Sequence, residues 1–431
     1  MNKKTIVITA IVAFLIVGIA GAVYLTILPP PVLETPTVPE PQRVSEVRIG
    51  VLTPLTGPAA YFGEGQKAMA ELMAKKINEE GGIKSLGGAK IRVIVADTEG
   101  KPEVGKIQAE RLIVEEKVHL IIGALHSGVT AAASIEAERY GIPWICETSS
   151  HPDLTRRGFK WFFRIWGHDE IFAKEYFLLL RWLQEKTGVK VNTIAFVAEE
   201  TLFAVGVAHA WEKYNLDPEL GGYKVVANIR HPSGVSDLTS EALTLKAANP
   251  DVVFMVNTPI PDAILWTKTL KEVGFFPKAL MTTGGFTFPA YLEAVGKDGE
   301  YIIGRGGWSL DLTLVKPKAK EVYEWFKRET GKDMHIYVMT MHAAMVLVRD
   351  VLERAGSVEP EKIRQALIET NLPGDEIMNP WKAIKFDETG QNIYPIDLMV
   401  QVIDGKFRMI WPEGFQAVEP IFPAPGWEER K

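Results

Sequence analysis

The sequence predicts an α/β protein of two doubly wound, Rossmann-like lobes, and three observations carry that expectation. The chain has 431 residues, too many for one ordinary hydrophobic core, so two lobes are expected. From about Val47 apolar strand-like runs alternate with amphipathic helical stretches, a succession of βα units. After "KWFFRI" the same alternation starts again, so the architecture repeats although no close sequence repeat does.

In chain order, "VRIGVL" reads as a strand and "GEGQKAMAELMAKKINEEGG" as a helix whose apolar residues recur at helical spacing until paired glycines end it. Then come "KIRVIVAD", a helix around "EVGKIQAERLIVEEK", "VHLIIG", a helix beginning near Ser127, and "IPWIC". These strands are apolar enough to be buried on both faces, which implies a parallel sheet between helices. The second set is "NTIAFVA", a helix over about 202–214, "YKVVANIR", a helix near 238–248, "DVVFMVN", a helix near 263–273, and "KALMTTG". Three further helices ("KAKEVYEWFKRETG", "IYVMTMHAAMVLVRDVLERAG", "EPEKIRQALIET") and late strands "WKAIKF", "DLMVQVI" and "KFRMIW" complete the chain.

The first residues carry a different signal. "MNKK" supplies positive charge, and residues 5–28, "TIVITAIVAFLIVGIAGAVYLTIL", hold none. Such a run is long enough to cross about 30 Å of hydrocarbon as a helix, so residues 1–28 are expected to form an N-terminal transmembrane signal anchor. Cleaved signal peptides usually have a shorter apolar region of roughly 7–15 residues, although Ala20 and Ala22 offer a cleavage site that would give a secreted form. Positive charge before the span places everything after it outside the cytoplasm, at the cell surface. Residues 29–46, opening with "PPPVLETPTVPEPQ", read as a stiff Pro/Thr-rich tether.

Composition narrows the function classes. A net charge of −6 with no Lys/Arg stripe argues against a nucleic-acid surface. The single cysteine, Cys146, excludes an intrachain disulfide and a multi-cysteine metal site. The eight histidines are scattered without ligand spacing, so no metal or cofactor is expected. "TPLTGP" lacks the G-K-[ST] ending of a phosphate loop, and Met339, Met341 and Met345 share one predicted helix as core residues.

Parallel sheets bind ligands beyond the carboxyl ends of their strands. The loops there are "TPLTGPAAYFG", "GALHSG", "CETSSHPDL", "AEETLFAVG", "VNTPIPD" and "TTGGF". Ser127 heads a helix, as an N-cap, a ligand-holding hydroxyl or a nucleophile beside His126. A nucleophile needs a base held by a third group, and no G-x-S-x-G elbow surrounds it. Thr148, Ser149 and Ser150 are either a loop satisfying its own backbone or ligand hydroxyls. Glu147 beside them is either a solvated loop acid or a site acid.

At these loops the chain resembles the extracytoplasmic solute-binding proteins of branched-chain amino-acid ABC transporters, the leucine/isoleucine/valine-binding family. The matching segments are "RIGVLTPLTGPAAYFGEGQKAMAELMAKKINEEGGI", "VADTEGKPE", "IIGALHSGVT", "ERYGIPWI", "SSHPDLT", "LKAANPDVVFMV", "LKEVGF" and "DGKF", in that order. The resemblance implies a type I periplasmic-binding clamshell whose chain crosses the hinge three times. Lobe one would comprise residues 47–167 and 306–394, and lobe two residues 168–305 and 395–420. It also implies a binding protein rather than an enzyme, which hands a small solute to ABC permease subunits driven by cytoplasmic ATPases.

By the same resemblance Ser127 and Ser150 hold the ligand carboxylate, and Thr148 offers its carbonyl to an ammonium. Tyr61, Phe62, Glu147, Ser149, Phe203, Gly284 and Phe286 complete the ligand-binding candidates. Amino-acid binders of the family carry an acid at the position of Gly284 and tyrosines at those of Phe62 and Phe203. A buried ammonium without a carboxylate partner is costly. Either Glu147 supplies the missing acid, or the ligand is a carboxylate with an apolar or aromatic body, the favoured alternative. Phe62, Phe203, Phe286 and Trp166 would suit such a body. Two rival readings are a ligand-sensing receptor on the same clamshell and an extracellular hydrolase with Ser127 as nucleophile.

Overall fold

The computed structural model describes residues 44–430. The expected anchor and the tether up to residue 43 lie outside the described residues. Among those described, no helix is long and apolar enough to cross a membrane.

Strands β1 (Glu46–Thr53), β2 (Lys90–Asp97), β3 (Leu120–Gly123), β4 (Trp144–Cys146) and β5 (Phe162–Arg164) form a sheet in the order β2-β1-β3-β4-β5, every pair parallel. Helices α1 (Ala60–Glu79), α2 (Pro102–Val114) and α3 (Ser127–Tyr140) make the crossovers. Val47, Ile49, Val51, Leu120, Ile121 and Ile122 are wholly buried. Burial on both faces is why these strands run apolar instead of alternating.

The second lobe repeats the scheme. Strands β6 (Thr193–Glu199), β7 (Lys224–His231), β8 (Val252–Asn257), β9 (Ala279–Gly284) and β10 (Ile303–Arg305) pair in parallel in the order β7-β6-β8-β9-β10. Its helices are α4 (Asp169–Thr187), α5 (Leu202–Asn215), α6 (Thr239–Ala248), α7 (Ile260–Glu272) and the short α8 (Pro289–Val295). Strand order thus reverses between β1 and β3 in one lobe and between β6 and β8 in the other, and ligand crevices open at such points.

After β10 the chain returns to the first lobe as α9 (Leu312–Val315), α10 (Pro317–Thr330), α11 (Ile336–Ala355) and α12 (Pro360–Ile368). Helix α11 packs along α1, with Met339, Met341 and Met345 fully buried. A small antiparallel ribbon, β11 (Asn371–Pro373) with β12 (Ala383–Lys385), follows. Strands β13 (Met399–Ile403) and β14 (Lys406–Trp411) then add antiparallel to the free edge of β10, making the second sheet mixed. Their apolar runs in sequence carry no sign of that direction.

Three links therefore join the lobes, and side chains tie them together. Gln391 Nε2 donates to the Trp166 carbonyl at 2.7 Å, and Asn392 Nδ2 to the Ile165 carbonyl at 2.9 Å. Arg305, at the end of β10, forms an ion pair with Asp397 at 3.1 Å. The first and second crossings are thus each fastened to the third.

Candidate functional site

The carboxyl ends of β3, β4 and β5 meet those of β6, β8, β9 and β10 around one cavity. Leu125, His126, Ser127, Thr148, Ser150 and Trp166 line it from the first set. Phe203, Thr258, Thr283, Gly284 and Arg305 line it from the second, with Thr287 and Phe288 beyond β9, and Ile336 and Tyr337 at the start of α11.

Hydrogen bonds between two loops of the first lobe fix Ser127 and Ser150. Thr130 Oγ1 accepts from the Ala124 N–H at 2.9 Å and shares a 2.6 Å hydrogen bond with Ser149 Oγ, which also reaches the Leu125 carbonyl at 3.0 Å. Leu125 holds a left-handed φ of +68° to make this turn. His126 occupies the N-cap of α3 and Ser127 its first helical position, so the Ser127 hydroxyl is not spent on capping. It accepts instead from the His151 N–H at 3.3 Å. Among the described residues no imidazole or carboxylate hydrogen-bonds Ser127 Oγ. The unpaired N–H groups of the first turn of α3 are a natural site for an anionic group.

The facing wall is held as firmly. Thr201 caps α5 by accepting from the Ala204 N–H at 3.2 Å, setting Phe203 in its first turn. Glu199, buried at the end of β6, accepts from the Thr258 N–H at 2.9 Å, Thr201 Oγ1 at 3.1 Å and Ser233 Oγ at 2.9 Å, and from the Thr258 hydroxyl. Its capacity is used inside the lobe.

Among the described residues no carboxylate lines the cavity. Glu147 is wholly buried, and burial pushes its carboxyl up to about 7 against the lowering hydrogen bonds from Gln66 and Thr148. Burial likewise raises Asp169, at the start of α4, to about 6, opposed chiefly by the charge of Arg305. Burial lowers His126 to about 4, so this lining imidazole is neutral near pH 7. Arg305 is the cation that lines the cavity.

Gly284 sits at φ +81°, and a Cβ built there would lie 2.0 Å from the Asn257 carbonyl oxygen. The turn that ends β9 admits no side chain, so the acid carried here by amino-acid binders has no room on this backbone.

Of the sequence candidates, Ser127, Thr148, Ser150, Phe203, Gly284 and Trp166 come together at the cavity. Five others do not line it. Phe62 is fully buried behind Phe288, ring centroids 4.5 Å apart, and Phe286 packs on Tyr291 at 5.5 Å. Tyr61 is part-exposed beside His335 at 5.1 Å. Ser149 spends its hydroxyl between loops, and Glu147 lies behind Thr148. Sequence reasoning missed Phe288, Tyr337 and Arg305. "GGFTF" shows two aromatic residues without showing which meets the cleft, and nothing in "IIGRGG" marks Arg305. Among the described residues no cluster of three or more His, Cys, Asp or Glu could hold a metal ion.

A family model for periplasmic binding proteins matches residues 46–406. The Leu/Ile/Val-binding protein homolog 7 of Brucella abortus (strain 2308) is 25% identical over 394 residues, 88% of this chain and 94% of that protein. The leucine-binding protein LivK of Thermotoga maritima superposes with a TM-score of 0.73 at 23% identity, over 84% of this chain and 97% of its own. An ABC-transporter solute-binding protein of R. palustris, solved with benzoate, gives 0.72 at 19% identity, over 85% and 95%. At those identities the two structures speak for the fold alone.

Proposed function

Since the chain belongs to the periplasmic binding protein family, we propose that it is the extracytoplasmic solute-binding protein of an ABC importer, capturing a small carboxylate-bearing solute between its lobes. The observation that carries this reading is the single cavity that sets Ser127, Thr148 and Ser150 of one lobe against Phe203, Thr258 and Thr283 of the other. A ligand touching both walls favours the closed arrangement, and the permease reads that population shift. The solute is carried unchanged.

Residues 5–28 would keep the protein at the outer face of the membrane, with the residues from 29 up to the start of β1 at Glu46 as spacer. The carboxylate sits at the N-terminus of α3 with the hydroxyls of Ser127 and Ser150. One relative is named for leucine and another holds benzoate. The closed turn at Gly284 and the lack of a lining acid favour an ammonium-free acid of the second kind.

The test is thermal unfolding of the purified full chain against leucine, valine, aromatic amino acids, benzoate-like acids and short amides. A ligand at about 100 times its Kd stabilises by roughly 2.7 kcal/mol, a readily visible shift. Stabilisation by amino acids without stabilisation by bare carboxylates would overturn the ammonium-free reading. Turnover of a solute would overturn the binding reading.

A further inference from the structure

We infer that Arg305 is the specificity-determining residue of this cavity and selects an aromatic acid that lacks an ammonium and bears a second oxygen substituent, as in a hydroxybenzoate. The inference rests on the solute-binding reading above and names its ligand class.

The Arg305 side chain is 9% exposed. One face of its guanidinium lies over the Phe172 ring, 4.4 Å from the centroid, and its Nε is 3.1 Å from Asp397. Among the described residues the guanidinium makes no other ion pair and no hydrogen bond, although its charge also acts on Asp169, yet a guanidinium carries five N–H donors. With Nε turned to the Asp397 carboxylate in an ion pair and one face covered, its Nη edge is the part left to meet the cavity that Arg305 lines. These donors open on the cavity, and a bound solute that shuts water out without offering an acceptor would leave them unpaired, which is costly. An oxygen from the solute would satisfy them.

The surroundings set the remaining chemistry. An ammonium would meet the Nη donors with no carboxylate to pair with, since among the described residues none lines the cavity and Gly284 has no room for one. The solute's carboxylate has its own place at Ser127, Ser150 and the N-terminus of α3. Trp166, Phe203, Phe288 and Tyr337 supply aromatic walls for a flat body. Because Asp397 already balances the Arg305 charge, a neutral hydroxyl or carbonyl oxygen is enough. An aliphatic amino acid would leave the Nη donors dry and bring its own cation beside them.

The test is calorimetric titration of the full chain in detergent with 4-hydroxybenzoate, benzoate and leucine, for wild type, Arg305→Lys and Ser127→Ala. The double variant Arg305→Gln/Asp397→Asn is included because it removes both halves of the ion pair and strands no buried carboxylate. The expected result is a preference of tenfold or more for 4-hydroxybenzoate over benzoate, falling below threefold in Arg305→Lys and in the double variant. Ser127→Ala should weaken both acids alike, and leucine should not bind. Equal binding of the two acids, a preference untouched by the Arg305 variants, or tight binding of leucine overturns the role of Arg305 and leaves the solute-binding reading standing. If no solute of the wider panel binds wild type, the solute-binding reading falls and this inference with it.

Discussion

Gln66 Nε2 donates to Glu147 Oε1 at 2.7 Å with both side chains wholly buried, and Glu147 Oε2 has no partner among the described residues. Gln66 in turn accepts from Thr53 Oγ1 at 2.6 Å, so the ends of β1 and β4 are joined through α1. The hydrogen bonds from Gln66 and, at 3.3 Å, Thr148 fall on one oxygen and do not repay the desolvation of the carboxylate, which is why its folded value rises from 4.5 to about 7. The protonated form is favoured in the folded chain. That stability is fully present below pH 4.5 and is lost as pH rises through 7. Wild type should therefore lose up to about 3 kcal/mol from this group between pH 4.5 and 8. Glu147→Gln keeps the acceptor and should remove that share, so urea titrations should find it the more stable chain at pH 8. Parallel pH profiles for the two chains would refute the assignment.

The turn at Gly284 makes a second prediction. A non-glycine residue there meets both a left-handed φ and the Asn257 carbonyl at 2.0 Å. Gly284→Ala should cost about 2 kcal/mol or more, and Gly284→Glu should damage the β8–β9 end of the cavity rather than create an ammonium site. Scanning calorimetry gives the first. Failure of Gly284→Glu to gain any leucine binding checks the second.

How far the sequence reaches is clear from particular residues. Strand and helix periodicity located long elements such as β1, β2 and α11, because burial on both faces or on one helical stripe leaves a pattern in neighbouring residues. Three-residue strands such as β10 leave none, and the ion pair that places Arg305 joins it to a residue 92 positions away. Ser127, Thr148 and Phe203 were legible because they follow apolar runs directly, at the strand ends where ligands collect. Phe62 and Phe286 show the limit. An aromatic residue near a cleft packs into the lobe or faces its opening according to backbone turns that composition does not encode. Gly284 was visible as a missing acid, whereas the steric reason for it needed the Asn257 carbonyl.

Arg164 bears on how the cavity is held. Its guanidinium is wholly buried and donates to Gln391 Oε1 at 2.6 Å, the His151 carbonyl at 2.7 Å, Thr155 Oγ1 at 3.1 Å and the Ser149 carbonyl at 3.2 Å. Burial lowers its pKa to about 10, so it remains charged at pH 7. Arg164→Met strands these acceptors and should cost about 3 kcal/mol. Arg164→Lys should fall between it and wild type, since an ammonium has three donors and no planar fork. Denaturant midpoints rank the three. Because the same loop carries Ser150, both variants should also bind the solute more weakly.

Ser127→Ala separates binding from folding. Ser127 contributes one long hydrogen bond, from the His151 N–H at 3.3 Å, and no cap, since His126 holds that position. Its removal should change stability by about 0.5–1 kcal/mol at most. On the solute-binding proposal the hydroxyl is one donor to the solute carboxylate, beside the N–H groups of α3 that the substitution leaves in place. Affinity should therefore fall about tenfold, or roughly 1.4 kcal/mol, without being abolished. Titration calorimetry beside thermal unfolding reads both quantities on one preparation. A hydrolytic Ser127 would instead show turnover in wild type and none in the variant, with substrate affinity little changed. A large stability loss with unaltered solute affinity would make Ser127 a tie between loops and remove it from the site.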